Sequence, residues 1–177
     1  MSKSNASYNS YIGIALTNPK SPTNVGAVLR AAGCFNANQV LYTGNRFDIA
    51  KKFQTDTKQA NHSIGLTKVE CFDGEKPTQA KLVCVDLVEG AIPLMDFEHP
   101  EQALYVFGPE DGSINQETIS KADAVVYIPT TGCLNLAASV NVLLYDRLAK
   151  STHIDRSNEL IIRSRDRNNQ TRVTDSE

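Results

Sequence analysis

The sequence predicts an α/β domain with a mostly parallel sheet covered by helices on both faces, and three observations carry that expectation. Six short runs rich in Val, Ile, Leu and Tyr are bounded by Gly, Pro or charged residues, as strands are. Helix-patterned segments fill several of the gaps between them, and strands alternating with helices argue for a parallel sheet. At 177 residues, 41% hydrophobic and 21% charged, the chain is long enough to bury one sizeable core.

The elements follow in order. "IGIAL" (12–16) reads as the first strand. In "SPTNVGAVLRAAGCF", Val25, Val28, Leu29 and Ala32 recur at i, i+3, i+4 and i+7, so a helix is expected there, with Thr23 or Asn24 as its cap and Gly33 near its stop. "QVLYTG" (39–44) is the second strand, and a second helix is expected over part of 48–61. "KVECF" (68–72), "KLVCVDL" (81–87) and "ALYVFG" (103–108) are the next three strands, followed by a short helix over about 115–122. "AVVYIP" (124–129) is the sixth strand, and the helix after Asn135 carries an apolar stripe of Val140, Leu143, Leu144 and Leu148. Its Ala137 and Ala138 permit close approach of another element. The hydrophobic pattern fades after Ile162, which predicts a short surface element and then a mobile polar tail. The expected organisation is a flexible segment over 1–10, one domain over 11–152, and a polar, arginine-containing extension over 153–177.

Composition excludes some functions. No apolar run has the length a membrane helix needs, and "MSKSNASYNSY" has one positive charge and no apolar core, unlike a secretory signal. A cytoplasmic protein is expected. Cys34, Cys71, Cys84 and Cys133 are widely spaced beside apolar residues, which suggests buried thiols in a reducing compartment. They form no Cys-x-x-Cys pair, and His62, His99 and His153 are equally dispersed, so no metal site is expected. The net charge of −2 does not announce a nucleic-acid binder. Local basic patches still could steer a polyanion: five arginines between Arg156 and Arg172, and Arg46, Lys51 and Lys52 in "NRFDIAKKF".

Sites in parallel α/β folds gather beyond the carboxyl ends of strands. Three such junctions each carry an unexpected polar residue. "FGPEDGS" passes from a strand into a tight loop in which Gly108 lets the backbone turn closely, Pro109 fixes φ and Gly112 is suited to positive φ. It reads either as a plain turn with two solvent-facing carboxylates or as a loop whose backbone holds a small polar ligand, with Glu110 orienting it. Asn135 reads as a helix cap, or as a cap that also faces a cleft. Arg30 follows Asn24 by six residues on a helix otherwise small or apolar, so it reads as a salt-bridged structural residue or as a phosphate ligand. There is no GxxxxGK[ST] loop, no Gly-x-Ser-x-Gly elbow and no His beside a nucleophile.

In order and separation, "NVGAVLR" (24–30), "VFGPEDGSI" (106–114) and "IPTTGCLNLAASV" (128–140) resemble the three motifs of the SpoU/TrmH family within the SPOUT class of RNA ribose 2'-O-methyltransferases. The resemblance spans nearly the whole domain. It implies a SPOUT-type domain with a C-terminal trefoil knot, S-adenosylmethionine as cofactor, and a homodimer whose active site draws residues from both chains. It implies Arg30, Asn24, Glu110 and Asn135 as catalytic residues, and Gly108, Gly112, Ile128 and Leu134 around the methyl donor. Arg30 and Arg46 are the expected RNA contacts, Arg30 through a phosphate. Cys133 and Ala137 stand where the family often has serine, so no serine-dependent role transfers to them. Compact members suggest tRNA over rRNA as the RNA partner. The alternatives are an rRNA enzyme, an RNA-binding relative without transfer activity, and a structural protein of this fold.

Overall fold

The computed structural model describes residues 10–52, 64–152 and 154–173. Seven strands form one sheet: β1 (Tyr11–Leu16), β2 (Gln39–Tyr42), β3 (Leu66–Lys68), β4 (Lys81–Val85), β5 (Ile92–Pro93), β6 (Gln102–Phe107) and β7 (Ala124–Tyr127). Their order is β3-β2-β1-β6-β4-β7-β5, and every pairing is parallel. The chain winds outward from β1 on one side and then fills the other, so all carboxyl ends lie along one edge. That edge is where the connecting loops can assemble a site.

Period-two alternation sends successive strand residues to opposite faces. Ile14, Leu16, Val40, Tyr105 and Phe107 join one cluster, with α1 (Pro22–Cys34), α2 (Arg46–Lys52) and α4 (Leu136–Ala149) laid over them through residues such as Val25, Val28, Phe47, Val140 and Leu144. Ala15, Leu41, Cys84, Leu104 and Val106 form the other cluster, under Ile114 and α3 (Gln116–Lys121). Both faces are covered, the first more heavily. Burying each large side chain contributes about 2–3 kcal/mol, and Leu143 and Val140 of α4 are wholly buried.

Several boundaries differ from the sequence expectation for local reasons. Helix α1 starts earlier: Ser21 is the cap, its Oγ accepting the Asn24 N–H, and Pro22 occupies the first turn, where its missing N–H costs nothing. Asn24 therefore lies inside the helix, and Gly33 lies within its last turn rather than beyond it. The third strand is Leu66–Lys68, not 68–72, because Val69 and Phe72 fill the second core from a loop. Strand β5, only two residues long, has no pattern to read. Residues 53–61 of the expected second helix lie outside the described residues. The extension contains α5 (Asn158–Ser164), capped by Ser157. Three expected buried thiols are exposed, at Cys34, Cys71 and Cys133, and only Cys84 is buried. Apolar sequence neighbours do not decide which way a side chain points at a helix end or in a loop. Burial pushes the Cys84 thiol up to about 12.

Candidate active site

At the carboxyl edge, the segments after β4, β6 and β7 wall a cleft. Its lining includes Asp86, Gly108, Glu110, Thr130, Cys133 and Ser139, together with Gly112, Ile128 and Leu134. All four residues expected around the methyl donor therefore sit on one cleft. At Gly108 a Cβ would come within 3.2 Å of Asp86 Oδ2, so a side chain there would press on that carboxylate. Gly112 is not at positive φ, contrary to its expected role; its N–H instead closes a turn onto Pro109 O at 3.4 Å. The positive-φ glycine at this edge is Gly44, φ 75°, where a Cβ would collide with Asn18 Oδ1.

Three of the four expected catalytic residues meet beside the cleft in one directed chain. Asn135 Oδ1 accepts the N–H groups of Ala137 and Ala138 at 2.9 and 3.4 Å, capping α4. This fixes its Nδ2 as the donor to Asn24 Oδ1, 2.9 Å away. Asn24 Nδ2 in turn donates to Glu110 Oε1 at 3.2 Å. Glu110 also accepts the backbone N–H of Lys20 at 2.8 Å and of Ser21 at 3.0 Å. Burial pushes the Glu110 carboxyl up, but those N–H groups outweigh it and hold the group below the usual carboxylate range. Glu110 is thus an ionised acceptor that fastens the start of α1 to the loop after β6.

Arg30 stands apart from this chain. It is exposed on α1, six residues or about 9 Å of helix rise beyond Asn24, and it has no hydrogen-bond or ion-pair partner among the described residues. The structural salt bridge envisaged for it is absent there. Arg46 is engaged instead: its Nη1 and Nη2 each donate to a separate oxygen of Asp111 at 2.8 Å, and Lys20 Nζ lies 3.6 Å from the same carboxylate. The hydrogen bond to Arg46 holds the Asp111 carboxyl below its ordinary range.

Sequence reasoning missed Asp86, Thr130 and Ser139 on the cleft. Asp86 fell inside the run read as a strand to residue 87; ending that strand at Val85 places Asp86 in the first position beyond it. Among the described residues no group of three or more His, Cys, Asp and Glu side chains converges as a metal site would. No helix among them is long and apolar enough to cross a membrane.

The comparisons with known proteins bear on the same segments. A relative from Streptomyces viridochromogenes, a 23S rRNA (uridine(2479)-2'-O)-methyltransferase, is 24% identical over 77% of this chain and 52% of its own length. The chain thus spans about half of that relative. The solved structure of the SpoU methyltransferase AviRb from the same organism, in complex with the cofactor AdoMet, superposes with a TM-score of 0.63 at 20% identity, over 78% of this chain and 57% of that one. A structure described as giving insights into the 2-OH methylation of C/U34 on tRNA superposes with a TM-score of 0.61 at 20% identity, over 78% of this chain and 94% of that one. At these identities the structures establish a shared fold. The model of the SpoU rRNA Methylase family matches residues 11–145, which run from β1 to the last turns of α4 and contain the cleft and all three linked residues, so the chain belongs to the SpoU methylase family.

Proposed function

We propose that the protein is an S-adenosylmethionine-dependent RNA ribose 2'-O-methyltransferase acting in the cytoplasm. The observation that carries this reading is the linked set Glu110, Asn24 and Asn135, which joins all three motif segments at the rim of one cleft. The cleft suits the donor chemically. Its lining holds two carboxylates, Asp86 and Glu110, and no Lys, Arg or His, which fits a cationic ligand. Gly108 and Gly112 on the cleft wall carry no side chain, which lets a ligand approach the backbone directly.

When bound, S-adenosylmethionine supplies a methyl group made electrophilic by a positively charged sulfur. Gly108, Gly112, Ile128 and Leu134 hold it, and Asn135 and Glu110 keep the two flanking loops in register. Orientation of a ribose hydroxyl against that methyl group supplies much of the rate. Arg30 is free to serve the RNA: its planar fork matches a phosphate beside the reacting ribose and stabilises the charge developing on the 2' oxygen. Arg30 anchors the phosphate first, and the proton lost from the 2'-OH as the O–CH3 bond forms passes to Arg30 only in the assembled complex with RNA. Arg46 contacts RNA by exchanging the Asp111 carboxylate for a phosphate of similar geometry.

Two further features belong to this reading. Strand β4 lies between β6 and β7, and α4 returns from β7 to pack on α1, an arrangement compatible with the trefoil knot we propose for the C-terminal half. An exposed apolar face on α4 supports a homodimer. We take tRNA as the substrate class, on the extent of overlap with the tRNA-related neighbour. Ribosomal RNA is the second reading, favoured by the name of the Streptomyces relative.

The test is incubation with methyl-labelled donor and total RNA from cells lacking the gene, followed by nuclease digestion and mass spectrometry. A 2'-O-methylated nucleoside, traced to tRNA, is expected. A base-methylated product would overturn the reaction, and a ribosomal fragment would overturn the substrate class.

A further inference from the structure

We propose that Asp86 gives the cleft its preference for the cationic methyl donor over the neutral thioether that remains after transfer. The proposal rests on the reading of this cleft as the donor site and adds a residue that none of the three motifs contains.

Asp86 follows β4 directly and lines the cleft. Its Oδ1 accepts the Leu87 N–H at 2.8 Å, and its Oδ2 accepts the Ile114 N–H at 2.7 Å from the loop after β6. These bonds fix the carboxylate in place against Gly108. They do not neutralise it. No Lys, Arg or His pairs with Asp86 among the described residues, and no cationic side chain lines the cleft. The other cleft carboxylate differs: besides two N–H groups Glu110 accepts the Asn24 amide, and it lies close enough to the Arg46 guanidinium to act on its charge. Asp86 is therefore a fixed and uncompensated negative charge on a partly enclosed wall.

A carboxylate left without a counter-ion favours a ligand that brings one. S-adenosylmethionine and S-adenosylhomocysteine share the adenosine and amino-acid portions and differ by a methyl group and one positive charge at sulfur. Hydrogen bonds and apolar contacts to the shared portions hold both alike. A nearby fixed charge distinguishes them, and it does so in the direction that lets spent product leave.

Isothermal titration calorimetry with both ligands, on wild-type protein and Asp86→Asn, tests this. The Asn variant keeps the size of the side chain and one acceptor oxygen. If Asp86 acts through charge, the variant loses S-adenosylmethionine affinity on the order of fivefold more than S-adenosylhomocysteine affinity. Equal losses for the two ligands, or no change in either, would overturn the proposal and leave Asp86 as a loop anchor. If the Asn variant does not fold, Asp86→Ser, which removes the charge and keeps an acceptor oxygen, goes through the same comparison, and equal losses for the two ligands sink the idea there too. Wild-type protein that binds neither ligand overturns the cleft assignment itself, which separates that failure from failure of the Asp86 role alone.

Discussion

Asn135 divides its amide between two tasks: the oxygen caps α4, worth about 1 kcal/mol in such positions, and the nitrogen reaches Asn24. Helix cap and site residue are thus one role viewed from two sides. Arg30 has the opposite character, exposed and without a partner among the described residues, so replacing it should leave the fold untouched. Arg30→Lys retains charge but loses the fork, and methyl transfer should fall on the order of tenfold or more with donor affinity and melting temperature unchanged. Full transfer rate with normal RNA binding would remove the geometric role. Asn24, Glu110 and Asn135 were legible individually because polar residues stood out at strand-to-turn junctions. Their bonding was not, since it joins positions 86 and 111 residues apart and depends on strand order that no local pattern encodes. Asp86 was hidden by an overextended strand, and the exposure of Cys133 by its apolar neighbours.

Helix α4 runs from the cleft to the opposite edge of the sheet, and its far end is bolted by a second polar group. Arg147 Nη1 donates to Tyr105 Oη at 2.8 Å, which leaves the Tyr105 O–H to point at His99 Nδ1, also 2.8 Å away. His99 Nε2 then carries its proton toward Asp146 Oδ2 at 2.9 Å, and Lys150 lies 2.7 Å from the same oxygen. With Nε2–H aimed at Asp146 and Nδ1 accepting from Tyr105, this wiring suits a neutral imidazole. Burial pushes the His99 pKa down, the Asp146 hydrogen bond pulls it partly back, and Arg147 lowers it again. The sign follows by linkage: below about pH 6.5 the unfolded ring takes up a proton that the folded ring refuses. Stability from His99 is therefore complete above about pH 6.5 and is lost as the pH falls toward the lowered folded value. Urea midpoints should drop between pH 7.5 and pH 5.5 by more in wild type than in His99→Gln, and equal drops would show that the ring is not the titrating group. The apolar stripe of α4 was legible from its spacing at Val140, Leu143 and Leu144, but Leu148, expected in the same stripe, is exposed in the helix's last turn. This bolt was not legible, because His99 sits in the irregular segment between the short turn Leu94–Asp96 and β6, and the bonds to α4 join residues more than 40 positions apart. The start of α1 shows the same limit, since choosing Ser21 over Thr23 depends on which hydroxyl reaches the Asn24 N–H.

Across the whole molecule, the strands read as apolar runs became a sheet whose two cores separate residue by residue along β1, β4 and β6. What the sheet does not cover is the outer side of α4. Val140, Leu143 and Leu144 are buried on its inner side, while Val142, Tyr145 and Leu148, at i, i+3 and i+6, are exposed at 40%, 65% and 39%. A stripe of this kind on the helix that begins at the cleft is costly in water and suits a second copy of the chain. In the homodimer we propose, Arg30, which stands free of its own chain's linked residues, would serve a partner's cleft. Tyr145→Glu tests both points, because a carboxylate added to an exposed position disturbs the partner contact without touching the core. Sedimentation velocity should show wild type as a dimer and the variant as a monomer with unchanged melting behaviour apart from concentration dependence. Methyl transfer should fall with the dimer fraction, while variant carried above the dissociation constant recovers activity. A monomeric wild type that transfers methyl groups, or a monomeric variant at full rate, would confine the active site to one chain.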